Sequence, residues 1–426
     1  MFDTIVTAPG SLGDVNPMIA IARGLQARGR RVVVAAAERY LPLAERAGLG
    51  TRVLVPETVF AQVVDNPNLW HPRKGLNLVF GSAGQGFLEE HYEWVASQYQ
   101  PRRTLLVSHL LDFASRIFRD AQPEVPFCSV VPSPAVLRSL TQPPRLTPGG
   151  WELKLPPTLL AFAYRLADRI LDRLAGRAIN RIRASHGLPA VQRVMDRWWT
   201  SPDLTLGLFP DWFSVPESDL PPGMRCVGFP LADSGDLLAE AGQKLVRDAL
   251  APLGGRRPIV FAPGSAHAHA KPFLAAAAEA CRRLGEPGVL LSSASSQFPT
   301  DLPNHVVTAN YLPFTHLLPH ARAIVHHGGI GTTSQALAAG IPQVVVPMAF
   351  DQFDNAVRVE SLGCGSWLHM PRVTPARLKG HLSRALTDCS TSAAAQRAAA
   401  RTISSTITTT SMADMILSYF ARRVDE

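Results

Sequence analysis

Short β-branched runs alternate with amphipathic stretches along most of this chain, and they do so in two sets. Parallel strands cannot be joined by a tight turn, so each needs a crossover, usually a helix, that also covers a face of the sheet. The first set predicts strands at Thr4–Thr7, Arg31–Val34, Thr51–Val55, Thr104–Val107 and Phe127–Val131. The second predicts them at Ile259–Phe261, Val289–Leu291, His305–Thr308, Ala323–Val325 and Gln343–Val346. Between the sets, Pro210–Gly235 is rich in Pro, Gly and Ser and reads as a linker. A chain of 426 residues is long enough for two cores. The division predicted is 1–213, a linker 214–235, then 236–405, and a last segment 406–426 in which Met412–Phe420 has amphipathic spacing. The fold class is α/β.

Composition narrows the partners. Lys and Arg number 42 against 34 Asp and Glu, a net charge of +8, which suits an anionic ligand. No Lys-rich run, zinc-ligand spacing or recognition-helix motif points to nucleic acid. A sugar nucleotide, an acidic lipid or a membrane surface accounts for the bias equally well. The five cysteines (Cys128, Cys226, Cys281, Cys364, Cys389) are scattered and read as buried thiols of a reducing compartment. The chain enters its first strand without a signal-like segment, so a cytoplasmic protein is expected. Ala323–Phe350 carries no Lys, Arg, Asp or Glu, yet its two histidines, Thr-Thr-Ser-Gln run and internal Gly-Ile-Pro fit a buried strand–helix–strand better than a lipid-facing helix.

Two strand–helix turns carry chemistry. The predicted strand Ala323–Val325 runs into His-His-Gly-Gly-Ile-Gly-Thr-Thr-Ser-Gln, with a helix expected from about Gly331. A helix N-terminus presents backbone N–H groups and a positive dipole end, which suit phosphate. Gly328, Gly329 and Gly331 would let an anion approach closely, His327 adds a donor and Thr332 a hydroxyl. Farther on, Asp351 and Gln352 offer groups suited to sugar hydroxyls. The other turn, Pro9-Gly10-Ser11-Leu12-Gly13-Asp14-Val15-Asn16-Pro17, predicts Asn16 as N-cap and Pro17 in the first helical turn. Asp14 is then either a pre-helix turn residue or a general base that takes a proton from an attacking hydroxyl.

The spacing of His327, Gly329, Thr332, Gln335, Gly340, Pro342, Asp351, Gln352 and Asn355 resembles the donor-binding signature of family 1 glycosyltransferases. The resemblance implies two facing Rossmann-like domains of GT-B type with a cleft between them. Donor would bind on the C-terminal domain, acceptor on the N-terminal one, and the last helix would cross back to the first domain. It also implies that Asp14, in the Gly-Asp-x-x-Pro version of the bacterial members, is the catalytic base. Ser11, Gly13, Ser265, Tyr311, Leu312, His327, Gly329, Gly331, Thr332, Gln335, Asp351 and Gln352 would lie at the donor. His109 falls near the partner aspartate of the plant enzymes and would then lie on the acceptor side, but from the residues alone it reads as a loop histidine, with Asp112 a helix cap. A carboxylate already at position 14 makes a His–Asp dyad unnecessary. No metal-ligand spacing is visible, so neither metal nor cofactor is expected beyond the nucleotide-sugar co-substrate.

Two departures from the signature matter. Phe314 stands where the family has a Gln beside the base-stacking aromatic, here Tyr311. Gln335 stands where the family has a Glu that accepts from both ribose hydroxyls, so a deoxyribose, and hence a thymidine diphosphate donor, is favoured. Asn66–Pro72, Gly228–Leu231, Leu302–Val306, and Asp351–Arg358 with Leu362–Gly365 further resemble the bacterial rhamnosyltransferases of rhamnolipid synthesis. That resemblance implies transfer of L-rhamnose from thymidine diphosphate rhamnose to a 3-hydroxyfatty acyl dimer; the alternatives are transfer to another apolar aglycone, such as a macrolide, sterol or polyphenol, or an inactive donor-binding partner of another transferase. Finally, Arg165, Arg169, Arg173, Arg177 and Arg181 form a helical stripe beside Leu166, Ile170, Leu174, Ala178 and Ile182, with Asp168 and Asp172 expected to pair within it. The stripe reads as a solvated face over a core helix. Its other reading is a surface for lipid, with peripheral contact at the inner membrane or with a lipid-synthesising partner.

Overall fold

The computed structural model describes residues 3–71, 74–81, 87–146, 155–231, 239–264 and 270–424. The chain divides into two compact units, Met1–Pro144 with Glu152–Pro230 and Thr406–Glu426, and Arg145–Trp151 with Leu231–Ser405. Each is built on one parallel sheet sandwiched by helices. The first sheet holds β1 (Thr4–Ala8), β2 (Val32–Ala37), β3 (Gly50–Val55), β4 (Leu105–His109), β5 (Phe127–Val131), β6 (Leu204–Gly207) and β7 (Met224–Cys226), in the order β3-β2-β1-β4-β5-β6-β7. The second holds β8 (Ile259–Ala262), β9 (Gly288–Leu291), β10 (Val306–Ala309), β11 (Ala323–His326), β12 (Gln343–Val345) and β13 (Gly365–Trp367), in the order β10-β9-β8-β11-β12-β13.

The central strands β1, β2, β4 and β5 are mostly apolar and buried at every position because both faces are covered, whereas the edge strands β3 and β7 are half-buried and carry Arg52 and Arg225. In each sheet the chain order reverses once, at β1/β4 and at β8/β11. At such a point the helices leaving the two neighbouring strands diverge to opposite faces, leaving a crevice at the strand C-termini.

Every predicted strand is present, with ends moved by a few residues. The linker expectation is corrected. Within 214–235 the segment Met224–Cys226 is β7, pairing with β6, and the unit boundary falls at Pro230/Leu231. A three-residue strand among prolines and glycines carries too little periodicity to be told from a loop. The terminal helix Thr409–Val424 packs Met412, Ala413, Ile416 and Phe420 into the same core as Met18, Ile21 and Leu25, and Arg28 pairs with Asp414. The uncharged stretch Ala323–Phe350 is indeed a buried strand–helix–strand. Among the described residues no helix is long and apolar enough to cross a membrane. Of the cysteines, Cys128, Cys281 and Cys364 are buried, Cys226 is half-buried and Cys389 is exposed, so the expectation of uniformly buried thiols fails at the last two.

Candidate active site and donor-site turn

At the first switch point the helix Leu12–Gln26 begins directly after Ser11, earlier than the sequence suggested. Ser11 is the N-cap and Asp14 the third helical residue. Its Oδ2 accepts from the Ser11 N–H at 2.9 Å and from the Ser11 hydroxyl at 3.2 Å. This reciprocal Ser–Asp arrangement starts the helix ahead of Asn16 and leaves Pro17 inside it. Gly10 makes the closeness possible: at φ +154°, a Cβ there would lie 2.4 Å from Asp14 Oδ2.

β1 and β4 are register neighbours, with Thr7 opposite Ser108, so the residue ending β4 comes up beside this turn. That residue is His109. It is no loop histidine: it is the last residue of a buried strand, and its Nε2 lies 3.5 Å from Asp14 Oδ1. The dyad that a carboxylate at position 14 seemed to make unnecessary is therefore present, with acid and imidazole exchanged between the two strands. His109 Nδ1 accepts the Leu111 N–H at 3.2 Å, so in the neutral ring the proton sits on Nε2, toward Asp14. Of the pair, Asp14 is the more open, its side chain 28% exposed against 6% for His109. Burial pushes the Asp14 carboxyl up, but His109 and then Ser11 outweigh it and hold it below the ordinary carboxylate value.

A second His–Asp pair stands behind the first. Asp112 caps the helix Phe113–Ala121 through the Ser115 N–H, as expected, and also accepts from the Thr7 hydroxyl at 2.6 Å. His91 Nε2 lies 3.5 Å from it. Burial raises the Asp112 carboxyl, yet His91, Ser115 and Thr7 together hold it far below its ordinary value. His91 and Asp112 line a cavity of about 190 Å³ whose other walls include Leu54, Phe60, Phe80 and Leu111, and Gly10 belongs to its lining. The cavity is apolar with one buried polar pair. His91 was invisible to sequence reasoning because its helix places it by three-dimensional packing alone.

At the second switch point β11 ends in His326, and the helix Ile330–Ala339 starts at Gly329. His326 is fully buried between Gln343 Oε1 (2.9 Å) and the Gly328 N–H, which donates to its Nδ1. Burial lowers its pKa to about 4 against the opposing Gln343 hydrogen bond, so it is a neutral structural tie. His327, the next residue, is half-buried. Its ring lies between two glycines: a Cβ on Gly264 would meet it at 2.9 Å and one on Gly329 at 2.4 Å. Gly264 lies two residues beyond β8, the register partner of β11, and its place in Ala-Pro-Gly was its only sequence signal. Gly331 and Thr332 occupy the first turn of the helix, which has no acidic residue there and no side-chain cap.

The rest of the motif holds this turn in shape. Asn355 Nδ2 donates to Gly328 O (2.9 Å) and to Asp351 Oδ2 (2.8 Å). Gln352 Oε1 accepts from the Met348 and Ala349 N–H groups, so that oxygen serves the backbone and not, as expected, an open sugar-facing position. Gln335 is buried, and its amide donates to the Leu231 carbonyl at 2.6 Å. Tyr311 is exposed and Leu312 is buried. Ser265 lies outside the described residues. Ser11 and Gly13, assigned to the donor from sequence, belong to the Asp14 turn in the first unit.

Residues 288–416 match the family model described as the C-terminal domain of erythromycin biosynthesis protein CIII-like proteins. The protein is 44% identical over 100 residues to an aklavinone 7-beta-L-rhodosaminyltransferase of Streptomyces galilaeus, a match covering 23% of its length and only 22% of that relative. It is 28% identical over 416 residues to an O-mycaminosyltylonolide 6-deoxyallosyltransferase of Streptomyces fradiae, covering 91% of its length and 90% of the relative. In structure it is similar to a spinosyn rhamnosyltransferase complexed with thymidine diphosphate, at 19% identity and TM-score 0.64, over 94% of its length and 96% of that protein's. Two parallel-sheet Rossmann-like units of GT-B type are thus the fold.

Proposed function

We infer that this protein is a family 1 glycosyltransferase that moves a sugar from a nucleoside diphosphate to the hydroxyl of an apolar acceptor, with inversion and without a metal, a reading that its matches to such enzymes support. The observation that carries the reading is the Asp14–His109 pair beside an apolar cavity. The acceptor oxygen attacks the anomeric carbon, its proton passes to Asp14, and the bond to the diphosphate breaks with both electrons on the leaving oxygen. His109, with Nε2–H toward Asp14, orients the carboxylate. His327 and the amides of the Ile330–Ala339 helix meet the charge that grows on the diphosphate.

For the substrates we propose thymidine diphosphate L-rhamnose as donor and a 3-hydroxyfatty acyl dimer as acceptor. Gln335 in place of a ribose-binding carboxylate supports the first, and the apolar cavity suits the second. A second reading, a polyketide-type aglycone as acceptor, is favoured by the names of the relatives, which act on aklavinone and on a tylonolide. The test is product formation by the purified protein, followed by mass spectrometry. Thymidine and uridine diphosphate sugars are offered against hydroxyfatty acyl dimers and polycyclic or macrolide aglycones. Sugar transfer to the acyl dimer from the thymidine donor supports the proposal. Transfer only to aglycones selects the second reading, and no transfer to any acceptor removes both.

A further inference from the structure

Along its second half, Arg177–Ser185, the arginine stripe is the outer face of a core helix, but along its first half it is not. It runs along the helix Pro157–Leu171, a π-helical turn Asp172–Gly176, and the helix Arg177–Ser185. The first of these buries only Leu160 and Asp168. Its inward side carries Asp168, buried in an ion-pair cluster with Arg138 (2.5 Å) and Arg193 (3.1 Å). Asp172 is also turned in, accepting from the Arg193 and Val194 N–H groups, so neither acid pairs with the stripe as the sequence suggested. The outward side instead carries Leu159, Phe162, Leu166 and Ile170, each more than half exposed. Arg165, Arg169, Arg173, Arg177 and Arg181 are all exposed. Only farther along do Ala178 and Ile182 turn into the core.

Single exposed apolar residues need no explanation, but four successive ones on one stripe do. Here the acids are withdrawn inward, leaving a face that is purely cationic and apolar. That combination matches a surface bearing negative charge over hydrocarbon. We propose that this helix face docks the protein on an anionic lipid surface. The leucine, phenylalanine and isoleucine side chains enter the boundary of the acyl region, and the arginines meet lipid phosphates.

The experiment is co-sedimentation of the full-length protein with vesicles of phosphatidylglycerol and phosphatidylcholine, and with vesicles of phosphatidylcholine alone. Binding should be at least about tenfold stronger to the anionic vesicles and should weaken with salt. Arg165→Glu with Arg169→Glu, and separately Phe162→Ser with Leu166→Ser, should each weaken it by at least about tenfold without lowering the melting temperature, because all four side chains are exposed. Lys379→Glu with Arg384→Glu changes net charge equally on an exposed face of the other unit, and should leave binding unchanged. Equal binding to neutral vesicles, no binding to anionic ones, or indifference to the face variants overturns the proposal. So does a dimer, seen by light scattering, that the same variants dissolve while lipid binding is absent; the face would then belong to a second copy.

Discussion

The two switch-point turns are the same piece of architecture with opposite electrostatics. Each joins a central parallel strand to a helix through glycines, beside the C-terminus of the neighbouring strand. In the first, the helix N-terminus is already occupied by its own carboxylate, since Asp14 accepts from Ser11 and faces His109. An anion gains little there, but a proton has a place to go. In the second, the N-cap is Gly329 and the first turn holds no acid, so the dipole end is left for a ligand's charge. On the proposed reading, one fold supplies a proton acceptor and an anion cradle by changing which side chain fills the first helical turn. The difference predicts separable defects.

The largest should come from Asp14→Asn. The amide keeps nearly the same shape but cannot take a proton, so turnover should fall by roughly 10²-fold or more. Thymidine diphosphate binding, measured by calorimetry, should be unchanged. A loss of diphosphate affinity of the same size would mean that the two turns do not divide the work in this way.

His327→Ala should show the reverse pattern. Diphosphate affinity should drop by about 1–3 kcal/mol, the range for a hydrogen bond to a charged group. Because the ring also fills the space between Gly264 and Gly329, His327→Gln serves as the companion variant: it keeps a donor and should recover part of the loss. Unchanged calorimetric affinity in both variants would take the anion role away from this histidine.

A smaller effect separates the members of the dyad. Burial alone raises the Asp14 carboxyl, and His109 is the main influence lowering it. The lowered value means that Asp14 stays ionised through mild acid, and activity should fail only as pH drops through and below its ordinary value of 3.8. The stability the depressed group contributes is present above that value and is lost over the same acidic range. In His109→Ala the burial remains and the pull is gone, so the acid limb of kcat/KM should move to higher pH. A limb that stays in place would leave His109 as packing for β4.

The fold was legible because strands covered on both faces read as apolar runs, and the glycines at fixed places in the 327–355 motif mark a turn that periodicity alone would not show. His327 and Asp14 could be read because each follows a strand end and precedes or opens a helix. His91 and the dyad geometry could not, since they depend on which strands become neighbours: His109 meets Asp14 only because β4 pairs with β1. The stripe Arg165–Arg181 misled in part because spacing shows two faces of a helix but not which one turns inward; the buried Asp168 cluster decides that.

Gln335 tests whether the second turn also reads the nucleotide's sugar. Seen from sequence, its amide replaces a carboxylate that would be left with an unmatched lone pair by deoxyribose. In the fold, the same amide donates to Leu231 O, so Gln335 has a structural task as well. Gln335→Glu separates the two. A carboxylate cannot donate, and two acceptors would then face each other in a buried place, which costs about 1–3 kcal/mol and should lower the melting temperature. If the residue also faces the ribose, the kcat/KM ratio for uridine over thymidine diphosphate sugar should rise several-fold, on the order of 1 kcal/mol. Gln335→Leu, which removes the Leu231 bond without adding an acceptor, should lower stability yet leave that ratio where it was. A ratio that moves alike in both variants, or in neither, would confine Gln335 to holding Leu231, and the preference for thymidine would need another residue.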